Sequence, residues 1–375
     1  MAAEHSPNLP PTTPMGRLLS LDAMRGFIMV LLALESTGLY WELIRHTSPG
    51  PLRDFWTQFT HYPWHGLHFW DLIQPGFMFI AGTAMAFSLN KQWSAGLSWN
   101  HSFRKMLRRC FFLFFWGVLD YAVRGNHLSF ELWDVLTQLS FTMLVAFLIF
   151  RWPARYQILL SLGLLVLTEI LYRTIHVPGF SQPFTDQHNF GNYIDLVLMN
   201  KINKDGWVAI NCIPTAAHTI WGALAGKLLL DRERKNKTLL LCGAGILALA
   251  CGYGLDWSGI TPIIKRIATS SFTLVSGGYC LLGLAFFYWW IDILGHRRYL
   301  KLFTILGMNS IFIYLFFEIV GDRWFTGYIR TISDGLLGLT VLPGALVAII
   351  GCLVVFSLEW LLCYFLYKKK IFFKV

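Results

Sequence analysis

The chain is cut into apolar blocks of about 20 residues with short polar stretches between them, and no other feature constrains its fold as much. A helix rises about 1.5 Å per residue and bilayer hydrocarbon is about 30 Å thick, so each block can span a membrane when helical. Composition agrees. Of 375 residues, 55% are hydrophobic and 14% charged, with a mean hydropathy of +0.51, more apolar than one soluble core requires. The pattern predicts an all-α, polytopic integral membrane protein with about 10 transmembrane helices, at roughly 18–40, 69–89, 107–122, 132–150, 156–175, 207–229, 238–256, 270–293, 302–320 and 341–367. Residues 1–16 are polar and carry four prolines, which predicts a disordered cytoplasmic tail, with 17–375 forming a single transmembrane domain. The apolar run after Arg17 is too long for a signal peptide and is read as the first span.

The formal charge of +10 invites a nucleic-acid partner, so the placement of the lysines and arginines decides. Alternate ends, such as those holding Lys91 and Arg104 to Arg109, Arg232 to Lys237, and Lys368 to Lys370, carry twice as many as the loops between them. Cationic loops stay on the cytoplasmic side, which predicts N-in/C-in topology with outer loops at about 41–68 and 176–206. The cationic excess is then explained by the lipid bilayer, and no nucleic acid is expected. The seven cysteines lie in or beside apolar blocks without a CxxC, which argues against a disulfide framework or a thiolate zinc site. Glycine-rich phosphate loops and the GxSxG and HExxH motifs are absent from the sequence. Any nucleotide-bearing cofactor must therefore be held by the membrane helices. No internal repeat suggests the duplicated halves of many transporters, and Gly222 with Gly226 and Gly243 with Gly245 are expected to serve close helix packing.

Chemistry concentrates in His61 to Gly82, HYPWHGLHFWDLIQPGFMFIAG, at the boundary of the second span. Pro63 breaks the spacing of His61 and His65, and only Asp71 could complete a cluster with His61, His65 and His68, so no metal is expected. Asp71 reads either as an orienter of His61 or as an aspartate favoured at a helix N-terminus. Charges inside spans require partners or a wet cavity. Asp22 and Arg25 are three apart and can pair on one helical face, either at a cofactor site or as a snorkelling pair, and Glu35 and Glu318 lie in the first and ninth spans. Asn309 and Ser310 sit deep in an apolar block, where an unpaired amide is costly.

Four stretches, in order, resemble the transmembrane acyltransferase family typified by heparan-α-glucosaminide N-acetyltransferase. They are SLDAMRG at Ser20 to Gly26, the His61 to Gly82 stretch with His61, Trp64, Gly66, Asp71, Pro75, Phe79 and Gly82, the Gly206 to Gly226 segment, and KRIATSSF with GMNSIFIY between Pro262 and Tyr314. The resemblance implies transfer of the acetyl group of cytosolic acetyl-CoA to a glucosamine amine across the membrane. It puts the catalytic histidine on His61, with Asp71 as its partner. It also implies that Asp22, Arg25, Ser270, Ser271, Asn309 and Ser310 serve the cofactor, and that Trp64, His65, Glu35, Ser36, Lys265 and Glu318 serve the acceptor. His65 and Ser36 stand where relatives commonly have asparagine. The predicted topology puts Lys265 outside, away from the CoA phosphates.

Acyl transfer needs a nucleophile, a base and oxyanion donors, and an imidazole can act as base or as acyl carrier, so both a ternary-complex and a ping-pong route stay open. The expected protein is an acetyl-CoA-dependent N-acetyltransferase of an exoplasmic amino sugar. A sugar or amino-sugar permease and an O-acetyltransferase of a cell-envelope glycan are the alternatives. Chain length suggests a bacterial inner (cytoplasmic) membrane enzyme, and a homodimer is compatible with the small-residue motifs.

Overall fold

The computed structural model describes residues 18–123, 128–298 and 300–373. The tail predicted over 1–16 lies outside the described residues. The described chain is helical, with one isolated antiparallel bridge, His65 to Ile264. Its helices are α1 (Leu19–Ser36), α2 (Leu39–Arg45), α3 (Pro51–Thr57), α4 (Ile73–Ser94), α5 (Trp99–Ala122), α6 (Val135–Leu148), α7 (Ala154–Thr174), α8 (Phe190–Met199), α9 (Cys212–Leu230), α10 (Lys237–Trp257), α11 (Ser270–Phe287), α12 (Leu300–Met308), α13 (Ser310–Phe316), α14 (Thr326–Gly338) and α15 (Gly344–Lys368).

Side-chain caps start several of them: Ser98 accepts from His101 N–H, Asp134 from Leu136 N–H, Asn189 from Asn192 N–H and Thr269 from Phe272 N–H. Five helices among the described residues are long and apolar enough to cross a membrane: Phe69–Ser94, α7, α10, Ser270–Ile293 and α15. Two bent pairs raise the number to seven, α1 with α2 at 60° and α12 with Ser310–Gly338 at 76°. The first bend falls at Gly38, whose φ of +82° suits glycine. The second falls at Asn309, inside the block read from sequence as one continuous span. Of the other expected spans, α5 carries several cations in its first half and α6 is only 14 residues long.

Helices α4 and α9 form the centre. The spanning window of α4 is 61% buried, against 22% for α7 and 17% for α10, whose outward faces carry Leu159, Val166, Ile246 and Leu247. Apolar side chains have no drive to associate within lipid, so central helices must approach closely enough for backbone contact. Glycines permit it. A Cβ on Gly82 would lie 2.0 Å from the Thr219 carbonyl oxygen, and one on Gly222 would lie 2.0 Å from that of Phe79. Gly26 makes the same kind of approach to Phe303 on α12. Gly243 departs from expectation, because a Cβ there meets nothing within 4 Å; its partner Gly245 does pack, against Gly278.

At one end of the bundle the loops before α4, α8, α9 and α11 converge. Trp64 Nε1 donates to Phe184 O at 2.8 Å, Gly66 N to Ile263 O at 2.9 Å, and Arg266 to the Asp205 carbonyl. At the other end α4, α5, α6 and α9 meet, with Trp93 bonded to Ser102 and Lys227 to the Phe150 carbonyl.

Gly82→Val and Gly222→Val should each lower the thermal unfolding midpoint of detergent-purified protein sharply, by more than the 1–3 kcal/mol usual for overpacking, because backbone must move. Gly243→Ala should leave it unchanged or raise it, by up to about 1 kcal/mol.

Candidate active site

Asp71 lies in a 3-10 turn, Phe69–Leu72, that leads into α4. Its side chain is 1% exposed, and its two oxygens face different tasks. Oδ2 accepts from His68 N–H at 2.9 Å and Tyr62 N–H at 3.3 Å, which folds the His61 to His68 loop back onto the helix start. Oδ1 lies 3.0 Å from His61 Nδ1 and 3.4 Å from Lys265 Nζ. Both readings of Asp71 from sequence are therefore realised in one carboxylate. Lys265 Nζ is also 3.1 Å from His61 Nδ1, across 204 residues of chain.

This contact depends on how the loops are clipped. His65 Nε2 meets Asp256 Oδ1 at 2.8 Å, and the same oxygen accepts from Ile263 N–H at 2.8 Å. Trp207 completes the enclosure: its ring lies edge-on to His61 at 5.9 Å, and Lys265 Nζ sits 5.1 Å from its centroid.

His61, Lys265 and Trp207 line a cleft of about 260 Å³ together with Glu35, Gln74, Asp134, Tyr314 and Glu318. The lining thus brings an imidazole and an ammonium together with three carboxylates. Tyr314 donates to Asp134 Oδ2 at 2.8 Å, and Gln74 donates to Gln138. Loss of water from around the imidazole pushes the His61 pKa below its ordinary value; Lys265 pushes the same way and Asp71 opposes. The ring is therefore neutral at pH 7 although its side chain is 41% exposed. Burial brings Lys265, 7% exposed, down to about 8, with Asp71 opposing and Arg266 adding to the fall. Asp71 Oδ1 can accept from both Nδ1–H of His61 and the Lys265 ammonium, and Nε2 is left for a reacting group. With Nδ1–H donating to Asp71, Nε2 is a base.

Other residues expected at the site are placed elsewhere. Trp64 and His65 do not line the cleft; they tie its loops together through Phe184 and Asp256. Ser36 bonds to Ala33 O, Ser270 to Leu165 O and Ser271 to Pro262 O, each buried or half-buried in a helix-end contact. The Asn309 amide donates to Ile371 O at 3.1 Å and accepts from Phe373 N–H at 3.0 Å, so it fastens the segment after α15 at the bend. Arg25, paired with Asp22 at 2.7 Å, and Ser310 line a second, inner cavity of about 80 Å³. Sequence reasoning missed Trp207, Asp134, Tyr314 and Gln74. The only signals were a polar residue at a helix start and a glutamine on an apolar face. No group of three or more His, Cys, Asp or Glu side chains suited to a metal occurs among the described residues.

A family model for the catalytic region of heparan-alpha-glucosaminide N-acetyltransferase matches residues 17–255. The chain belongs to this family. The human enzyme of that name is 25% identical, aligned over 96% of this chain and 60% of its own length, and the mouse enzyme is 23% identical over the same shares. The chain thus spans about 60% of the length of these curated relatives. The segment matched by the family model holds His61, Asp71 and Glu35 but ends before Lys265, Tyr314 and Glu318, which the fold brings to the same cleft.

The two neighbours of His61 shift its titration in opposite directions, which is measurable without knowing the substrate. In Lys265→Met the pKa of His61 should rise towards or above 6.5, and in Asp71→Asn it should fall further. The rate of His61 modification by an acylating histidine reagent, followed by mass spectrometry against pH, should move its midpoint up in the first variant and down in the second.

Proposed function

We propose that the protein is a transmembrane acetyltransferase that moves the acetyl group of cytosolic acetyl-CoA to the amine of an exoplasmic, glucosamine-type sugar. In this reading its roughly ten membrane-crossing segments run N-in/C-in in a bacterial cytoplasmic membrane, with His61 at the outer face. The observation that carries the proposal is the imidazole whose Nδ1 meets Asp71 beside Lys265, with Nε2 left for chemistry in a cleft also lined by Glu35, Asp134 and Glu318.

The amine nitrogen attacks the thioester carbonyl and a C–N bond forms. Nε2 of His61 takes the amine proton, the tetrahedral oxyanion collapses, the C–S bond breaks, and the thiolate receives that proton. Asp71 holds the ring's tautomer and steadies the imidazolium, as an aspartate does in other acyl-transfer sites. The Lys265 ammonium supplies positive potential beside the carbonyl, where negative charge develops. Glu35, Asp134 and Glu318 favour an acceptor that arrives as an ammonium and yields one proton to a lining carboxylate before the amine attacks, which supports an amine over a hydroxyl.

Detergent-purified protein incubated with radiolabelled acetyl-CoA and a panel of amino sugars should yield a base-stable N-acetyl product. His61→Ala should lose about 10²- to 10⁴-fold in kcat. Glu35→Gln should raise KM for the amino sugar by about tenfold or more, the range of a lost charged hydrogen bond. A base-labile product would assign the acceptor as a hydroxyl. Full activity in His61→Ala would overturn the mechanism.

A further inference from the structure

Rings line the cleft around His61 as well as charges, and two of them, Trp133 and Trp207, stand in the non-helical segments that lead into α6 and α9. A side chain on such a segment is not fixed by its own backbone, so its position must be set from outside. One carboxylate reaches both segments. Asp195, in the middle of α8, is 0% exposed and does not line the cleft. Its Oδ2 accepts from Trp133 Nε1 at 2.9 Å, and its Oδ1 accepts from Ala209 N–H at 2.9 Å, two residues beyond Trp207.

Helix α8 is held where this carboxylate is needed. Phe190, Asn192, Asp195 and Met199 are buried at helical spacing, so they form the face turned towards the protein. Met199 Sδ accepts from Leu132 N–H at 3.2 Å, and Lys201, just past the helix, pairs with Glu131 at 3.0 Å. Glu131, Leu132 and Trp133 are thus each tied to α8 or the residues after it. A buried carboxylate is tolerable only when its oxygens are hydrogen-bonded, and here the indole and the Ala209 amide do this. Burial pushes the Asp195 pKa up to about 7, with those two N–H groups opposing. The consequences reach the reacting groups. Trp207 stands edge-on to His61 and close to the Lys265 ammonium, and Trp133 directly precedes Asp134, which holds Tyr314.

We infer that Asp195 is a positioning residue for the acceptor: through Trp133 and the turn from Trp207 to Ala209 it sets the two indoles against which a sugar ring packs. This rests on the acetyltransferase reading and adds to it the part of the site that selects a ring-bearing acceptor. One face of a pyranose is largely C–H and buries well against an aromatic ring, while its hydroxyls and amine stay free for the polar groups of the cleft. An indole released from its N–H partner can leave that position, and the amine is then presented to Nε2 less often. Nothing in the sequence marks Asp195, which reads there as one acid among several in an outer loop.

Initial rates of the full chain in detergent should be measured with the amino sugar and acetyl-CoA varied separately. Asp195→Leu should raise KM for the amino sugar about tenfold, the range of a lost hydrogen bond to a charged group, with kcat and KM for acetyl-CoA little changed. Asp195→Asn, which keeps one accepting oxygen, should recover part of the loss. Trp133→Phe keeps a ring and removes only the indole N–H, and it should raise the same KM. Combined with Asp195→Leu, it should give clearly less than the product of the two single effects, because both remove one contact. An unchanged KM in Trp133→Phe would overturn the inference, and that test stands even if Asp195→Leu fails to fold. So would independent effects of the two changes, or a fall in kcat with both KM values unchanged, the mark of lost folded enzyme alone. Each of these results leaves the acetyltransferase reading intact, whereas a wild type that acetylates no amino sugar would sink that reading and this inference with it.

Discussion

The carboxylate of Asp71 is the constraint on which the site depends. A buried carboxylate is tolerable only when its lone pairs are satisfied, and here they are divided between two backbone N–H groups of one loop and two side chains from different parts of the chain. Oδ2 fixes the path of Tyr62 to His68 into α4, and Oδ1 gathers His61 and Lys265. Without it the loop would lose its anchor, and the Lys265 ammonium would lose the carboxylate that offsets its burial. The carboxylate thus couples the loop's conformation to the electrostatics of the cleft.

Rigid placement of that carboxylate comes from below it. Helix α4 is held against α9 by backbone contact at Gly82 and Gly222, and α1 against α12 at Gly26 and Gly307. Side chains on these close-packed helices have little freedom to move independently, so Glu35 on α1, Phe77 on α4 and Tyr314 on α13 keep a fixed relation across the cleft. The glycines of the His61 to Gly82 and SLDAMRG stretches are therefore explained by helix approach, while the charged residues of the same stretches belong to the two cavities. Arg25 and Gly26 are adjacent in sequence and serve these two purposes on different faces of α1.

Much of this was legible in the sequence. The apolar blocks located the long helices, because the length needed to cross hydrocarbon leaves little choice of secondary structure. His61, Asp71, Glu35 and Glu318 stood out because charge and imidazole are costly or reactive beside an apolar run, and all four line or adjoin the cleft. Asn309 stood out for the same reason, but the cost of its amide is met by the backbone at Ile371 and Phe373 rather than by a ligand. Ser270 and Ser271 were indistinguishable in sequence from ligand-binding hydroxyls, and they satisfy nearby carbonyls instead.

What the sequence determined by itself was the helical class and the short-range contacts: the Asp22–Arg25 pair, three residues apart, and the Asp71 turn, where local spacing alone brings the groups together. What only the tertiary structure decided was which distant groups share a space. Lys265 reaches His61 because the loops before α4 and α11 are bridged at His65 and Ile264. Asp134 and Trp207, in the segments that lead into α6 and α9, enter the cleft, and Arg109 on α5 turns away from its exposed neighbours into the second cavity. A one-residue step along a helix turns a side chain by about 100°, so the face a residue presents to a cavity is fixed by the packing of neighbouring helices, which residue type alone does not encode.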